Sequence, residues 1–183
     1  MKISDDIEGH EEAIIDLFTT TFTASEGAQE GKLVGTLARN LLADTAPDDI
    51  QVFTAWRGER LIGAALFSRL TYPRDARTVF LLSPMAVATD SQGTGVGQAL
   101  LRHALAVLRD QGVDIAVTYG DPAFYGKLGF RPMSEATARA PLPMSQPEGW
   151  IGQALTGGKG GDVSPPLQGP CRCVAALDDP ALW

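Results

Sequence analysis

The chain has 183 residues, 44% of them hydrophobic, which is enough for one well-buried core and short for two full domains. Charged residues make up 20% and are spread along the chain, which argues against global disorder. Lys and Arg number 15 against 22 Asp and Glu, a formal net charge of −7 with no basic run. That balance disfavours nucleic acid and an anionic membrane surface, both of which need cationic side chains, and suits a small cationic substrate better.

No segment approaches the roughly 20 apolar residues that cross a bilayer. The opening Met1-Lys2-Ile3-Ser4-Asp5-Asp6 lacks the apolar stretch of a secretory signal, so a cytoplasmic location is expected. Cys171 and Cys173, separated by one residue, are too close for an easy disulfide within an extended strand and too few for a metal cage. They read as two thiols in a reducing compartment, and no metal is expected.

In chain order, Glu11 to Thr23 reads as a helix, with Ala13, Ile14, Leu17 and Phe18 at helical spacing. A polar connector, Ala24 to Gly31, leads to a second helix from about Lys32 to Leu42. Its apolar side carries Leu33, Val34, Leu37, Leu41 and Leu42. Ala46-Pro47-Asp48-Asp49 breaks the pattern. Ile50 to Trp56 and Leu61 to Leu70, joined by Arg57-Gly58-Glu59, read as an antiparallel hairpin. Val79 to Val87 is a further strand. Pro84 removes one ladder donor within it and predicts a bulge or splay there.

Next come a glycine-rich loop and a helix from about Gln98 to Asp110, with Gly112 placed as its C-terminal cap. Ile115 to Tyr119 is a strand, Pro122 to Lys127 a short helix, and Phe130 opens another strand. Beyond Met133, Trp150 to Leu155 and Arg172 to Leu177 read as strands, and Gly157-Gly158-Lys159-Gly160-Gly161 as a turn. No internal repeat is present. The expected architecture is one mixed α/β (α+β) domain over 1–183 with a core over about 1–133. A single, mostly antiparallel sheet is flanked by helices, and residues 134–183 complete it.

Three glycines alternate in Gly93-Thr94-Gly95-Val96-Gly97, after a strand and before a helix. The first turn of a helix offers unpaired N–H groups and the positive end of the helix dipole. Glycines let the backbone approach a phosphate closely, so a pyrophosphate is the natural ligand. A P-loop needs Lys and then Ser or Thr after its last glycine, whereas Gln98 and Ala99 follow Gly97. The dinucleotide fingerprint fails too, because Leu100 or Gln98 stands where its third Gly or Ala belongs.

What fits is Gln/Arg-x-x-Gly-x-Gly/Ala, on Gln92, Gly95 and Gly97. Together with Leu82 to Val87 and the block Gly120-Asp121-Pro122-Ala123-Phe124-Tyr125-Gly126-Lys127-Leu128-Gly129-Phe130, the chain resembles the GNAT superfamily of N-acetyltransferases. It looks most like its bacterial members with a Gly-Asp-Pro-x-x-Tyr-Gly signature. The resemblance covers roughly Ile50 to Pro132.

The resemblance implies a GNAT-like acyl-CoA N-acyltransferase fold and acetyl-CoA as cosubstrate. The backbone of Met85, Ala86 and Val87 would pair with the pantetheine arm, and the Val87 amide would polarise the thioester carbonyl. Amides from Gln92 through Gly93, Thr94, Gly95, Val96 and Gly97 to Gln98 would hold the pyrophosphate. Tyr125 would donate a proton to the leaving thiolate. Glu26, with Glu30 second, would take the proton of the amine. The acceptor would be a small-molecule or peptide amine, with no nucleic acid and no membrane; a homodimer is compatible with this. A non-catalytic acyl-CoA-binding or sensing domain is the alternative, although it would not need Tyr125. His10 and His103 read as surface residues. Direct transfer is expected, because neither cysteine has a nearby His in sequence and neither Ser83 nor Ser91 lies in a Gly-x-Ser-x-Gly elbow.

Overall fold

The computed structural model describes residues 1–157 and 161–183; Gly158, Lys159 and Gly160, the middle of the expected glycine turn, lie outside the described residues. In chain order the elements are β1 (Lys2–Ser4), α1 (Glu11–Glu26), α2 (Ala28–Asp44), β2 (Ile50–Arg57), β3 (Arg60–Leu70), β4 (Val79–Val87), α3 (Val96–Asp110), β5 (Ile115–Tyr119), α4 (Pro122–Tyr125), β6 (Arg131–Pro132) and β7 (Trp150–Ala154). The strands form one sheet in the order β1-β2-β3-β4-β5-β7-β6. No described helix is long and apolar enough to cross a membrane. By internal contact the chain divides into two compact units, Met1–Phe67 with Ser83–Ala104, and Ser68–Leu82 with Leu105–Trp183.

In the first unit, α1 buries Ile14, Ile15, Leu17 and Phe18, and α2 buries Val34, Leu37, Ala38 and Leu41. The expected connector between them is almost entirely helix. Ala, Ser, Glu and Gln are tolerated in a helical turn, so the break falls on Gly27 alone, whose φ of 100° few L residues adopt. The two helices meet where Gly31 and Gly35 lie against Thr23 and Thr19; a Cβ at either glycine would overlap the threonine hydroxyl. Gly58, at φ 62°, and Glu59 form the two-residue turn between β2 and β3. β3 is buried almost without interruption from Ile62 to Ser68, as a strand covered on both faces must be. β1 pairs antiparallel with β2, from Lys2↔Trp56 to Ser4↔Thr54. Three residues with no apolar alternation give no sequence signal, and that strand was not anticipated.

In the second unit, Val79–Leu82 of β4 run parallel to Ile115–Thr118 of β5. A parallel pair needs a crossover, which α3 supplies. β5 pairs antiparallel with β7, and β6 lies on the other edge of β7. The strand expected over Arg172 to Leu177 is not one. Arg172 makes a single antiparallel bridge to Thr71. Farther on, Leu177 N–H donates to the Val174 carbonyl at 3.0 Å and Asp178 N–H to the Ala175 carbonyl at 3.1 Å. Ala175 and Ala176 are weak strand formers, so local turn bonds take their backbone groups.

Another irregular stretch in this unit is held by point contacts. The Asp75 carboxylate accepts from Arg77 Nε at 2.9 Å, Arg77 Nη2 at 2.8 Å and the Gln168 amide at 3.1 Å. Arg77 in turn donates to the Pro165 and Pro166 carbonyls at 2.8 and 3.2 Å. The Arg77 guanidinium holds the Asp75 carboxyl well below the usual carboxylate range.

Candidate functional site

Two regions carry the expected site residues other than Glu26 and Glu30. The first is the turn into α3. β4 ends at Val87, Thr89–Ser91 form a 3-10 turn, and α3 begins at Val96, two residues before the expected start. The first intrahelical bond runs from the Ala99 amide to the Gly95 carbonyl at 3.0 Å. The N–H groups of Val96, Gly97 and Gln98 precede it and have no partner within the helix. Gly93 and Gly95 have φ of 72° and 85°, and a Cβ on either would meet nothing within 4 Å. Here glycine is needed for its backbone and leaves the space above it open.

The turn is braced from below. Gln92 Nε2 donates to the Val87 carbonyl at 3.0 Å, and Thr94 Oγ1 to the Ser91 carbonyl at 2.6 Å. Asp90 takes the Ser91 hydroxyl at 3.0 Å and pairs with Arg60 at 2.7 Å. Val96 is buried, and its Cγ1 packs over Gly63 of β3, where a Cβ would lie 3.4 Å away, in ordinary contact. Along the end of β4, Pro84 and Ala86 are buried while Ser83, Met85 and Val87 are half-exposed.

The second region surrounds Tyr125. The register of β4 with β5 ends at Leu82↔Thr118. There Thr118 Oγ1 donates to the Leu82 carbonyl at 2.9 Å. Past β5, Asp121 caps α4, its Oδ1 accepting from the Ala123 amide at 2.9 Å, with Pro122 in the first turn. The Tyr125 ring meets Phe124 and Phe130 edge-on, with centroids 5.0 and 5.6 Å away. A Cβ on Gly120 would come within 2.7 Å of Tyr125 Cε2, so only glycine fits beneath that ring. Burial pushes the Tyr125 phenol up to about 12; the Asp121 charge adds to this and a hydrogen bond with Thr118 opposes it. Gly120, Thr118 and Asp121 were not singled out from sequence for these tasks, although an Asp-Pro step ahead of a short helix signals a cap.

Glu26 and Glu30 do not lie in a loop. Glu26 is the exposed last residue of α1, and Glu30 sits half-buried in the first turn of α2. His10 and His103 are both exposed, as expected. Burial raises both thiols, Cys171 to about 12 and Cys173 above its ordinary value.

Residues 48–132 match the model of the acetyltransferase (GNAT) domain. Over those residues the chain is similar to GNAT acetyltransferase domains. The matched stretch runs from just before β2 through the glycine turn and Tyr125 to the end of β6, and leaves Glu26 and Glu30 outside. Over 134 residues the chain is 28% identical to YjhQ, an uncharacterized N-acetyltransferase of Escherichia coli (strain K12), covering 70% of this chain and 72% of YjhQ. Two solved structures share the fold. The GNAT family N-acetyltransferase YhbS of Escherichia coli, in complex with CoA, superposes with a TM-score of 0.81 at 21% identity over 97% of this chain and 92% of that one. A GNAT family acetyltransferase of Brucella melitensis, in complex with acetyl-CoA, gives 0.67 at 22% identity over 97% of each.

Proposed function

We propose that the chain is an acetyl-CoA-dependent N-acetyltransferase that passes an acetyl group directly to a primary amine of a small molecule or peptide within a ternary complex. The observation that carries this reading is the exposed Gln92–Gly95 turn running into the unpaired N–H groups of α3. Donors and open space coincide there, as a pyrophosphate requires. The two solved neighbours with CoA and acetyl-CoA support the choice of pyrophosphate.

On this reading the backbone amides from Gln92 to Gln98 hold the phosphates. The backbone of Met85, Ala86 and Val87 lines the pantetheine arm, and the Val87 amide polarises the thioester carbonyl. The amine nitrogen attacks that carbonyl. The C–N bond forms, the C–S bond breaks, and sulfur leaves with the electron pair. Tyr125 gives its proton to the sulfur. With its phenol pushed up to about 12, it is fully protonated in the neutral range and has that proton to give. The proton lost by the amine is assigned to Glu26 first and Glu30 second, carboxylates at the corner of α1 and α2. The raised thiols support direct transfer, since a protonated buried thiol is a poor nucleophile.

The test has two parts. With acetyl-CoA and amine both varied, initial-rate lines should intersect, and acetyl-CoA alone should leave the intact mass unchanged. An added acetyl group able to pass on to an amine would overturn direct transfer. Tight acetyl-CoA binding with no turnover on any amine would leave the non-catalytic sensor.

A further inference from the structure

A cavity of about 370 Å3 opens in the second unit, where β5 runs out into the turn of Gly120 and Asp121. The segment before β7 and the last residues of the chain close its other sides. One wall is aromatic. Tyr119 and Trp183 stack with centroids 6.0 Å apart and planes 15° from parallel. Both rings are pinned by their polar ends. Trp183 Nε1 donates to the Leu177 carbonyl at 2.9 Å, and the Tyr119 hydroxyl accepts the Gln146 amide at 2.6 Å. Gly149 keeps the wall clear, since a Cβ there would come within 3.2 Å of the Tyr119 ring and of the Gly120 carbonyl.

The lining also fixes the charge of the occupant. Asp121 and Glu148 are its charged side chains, both are acidic, and no Lys or Arg lines it. A polyphosphate such as CoA is repelled by such walls. An ammonium group is attracted by the carboxylates and by the faces of the rings. The volume is that of a small-ligand site, roughly 300–1,000 Å3 being usual. Gly120, which lines the cavity, also carries the Tyr125 ring on its open side, so one glycine separates the cavity from the phenol.

We infer that this cavity is the acceptor subsite and takes a primary ammonium group on an aromatic or otherwise apolar body, an inference that rests on the acetyltransferase reading. Asp121 and Glu148 select the charge, and the Tyr119–Trp183 wall takes the body.

The probe is phenethylammonium, titrated into the full chain beside its neutral isostere 2-phenylethanol and the anion 3-phenylpropionate, with acetyl-CoA affinity measured separately. The cation should bind about fivefold or more tighter than the alcohol, and the anion should not bind. Glu148→Gln should lose most of that preference and Glu148→Lys should abolish it. Acetyl-CoA affinity should stay unchanged in both variants, which alter one exposed side chain. Equal binding of cation and alcohol, or a preference untouched by Glu148→Lys, would overturn the subsite. Wild-type protein that binds acetyl-CoA but shows no cation preference sinks the subsite alone. Protein that binds phenethylammonium but not acetyl-CoA sinks the acetyltransferase reading, and the acceptor role with it.

Discussion

Gly95 in the turn before α3 and Gly35 within α2 serve opposite ends. At Gly95 the backbone is left-handed, with φ of 85°, and an added Cβ would meet nothing. At Gly35 the backbone is ordinary helix, and an added Cβ would overlap the Thr19 hydroxyl. One glycine leaves the space above it open; the other yields its space to a neighbouring helix. If the Gln92–Gln98 turn binds acetyl-CoA as proposed, binding and stability rest on the same residue type at different places, and substitutions should separate them.

The largest effect is expected at Gly35. Gly35→Val should cost about 3 kcal/mol of stability by overpacking α1 against α2, read as a lowered denaturant midpoint. Acetyl-CoA affinity of the folded fraction should not change. Gly95→Val should do the reverse. Acetyl-CoA affinity should fall about a hundredfold by calorimetry, the equivalent of one or two lost hydrogen bonds to a charged group. Stability should fall by only about 1–2 kcal/mol, the cost of a side chain in left-handed backbone. A Gly35 variant that loses affinity while keeping its midpoint would break the comparison.

Gly120 is a third case, a contact glycine beneath a candidate catalytic ring. Tyr125→Phe keeps the ring on Gly120 and removes only the hydroxyl. It should lower kcat about a hundredfold and leave acetyl-CoA affinity nearly intact. An unchanged kcat on the true acceptor would make Tyr125 a packing residue.

Alkaline pH gives a smaller test. Tyr125 and Cys171 are both raised to about 12 in the folded chain, from ordinary values of 10 and 9. Folding favours their protonated forms. The stability they contribute is complete below about pH 9 and is lost as pH rises through 12. The stretch from Gln92 to Gln98 has no ionisable side chain. Thermal midpoints should therefore decline above pH 9 while acetyl-CoA affinity stays flat from pH 7.5 to about 9, outside the range of its phosphate titration. The smallest expected effect is that of Cys171→Ser with Cys173→Ser. If acetyl transfer is direct, kcat should not move.

The parts of the fold built on repeated patterns were readable in the sequence. The apolar spacing of Ile14, Leu17 and Phe18, the runs of β3 and β4, and the alternating glycines ahead of α3 each impose one geometry. Pro84 marked the stretch of β4 that runs on beyond the last β5 partner at Leu82. What could not be read depends on partners distant in sequence. Lys2–Ser4 become a strand only because β2 offers an edge. Arg172 to Leu177 look like a strand but find one bridge. Glu26 and Glu30 looked like loop residues because polar residues surround them, yet only Gly27 has backbone that breaks the helix. In the site, the glycine turn was legible because it is local. The setting of Tyr125 was not, because it requires Gly120 beneath the ring and Thr118 facing Leu82.

The clasp between Asp75, Arg77 and the chain from Pro165 to Gln168 has a consequence for how this protein can vary among its relatives. Every bond the clasp makes to that stretch reaches a backbone atom: the amide of Gln168 and the carbonyls of Pro165 and Pro166. A carbonyl is offered by any residue, and an amide by any residue except proline. The route of this stretch is thus encoded partly at positions 75 and 77, and partly by Leu167, whose side chain is buried and whose amide donates to the Thr137 carbonyl at 2.8 Å. Of its own letters, Leu167 is the one constrained by burial, while the clasp itself asks little of the side chains at 166 and 168.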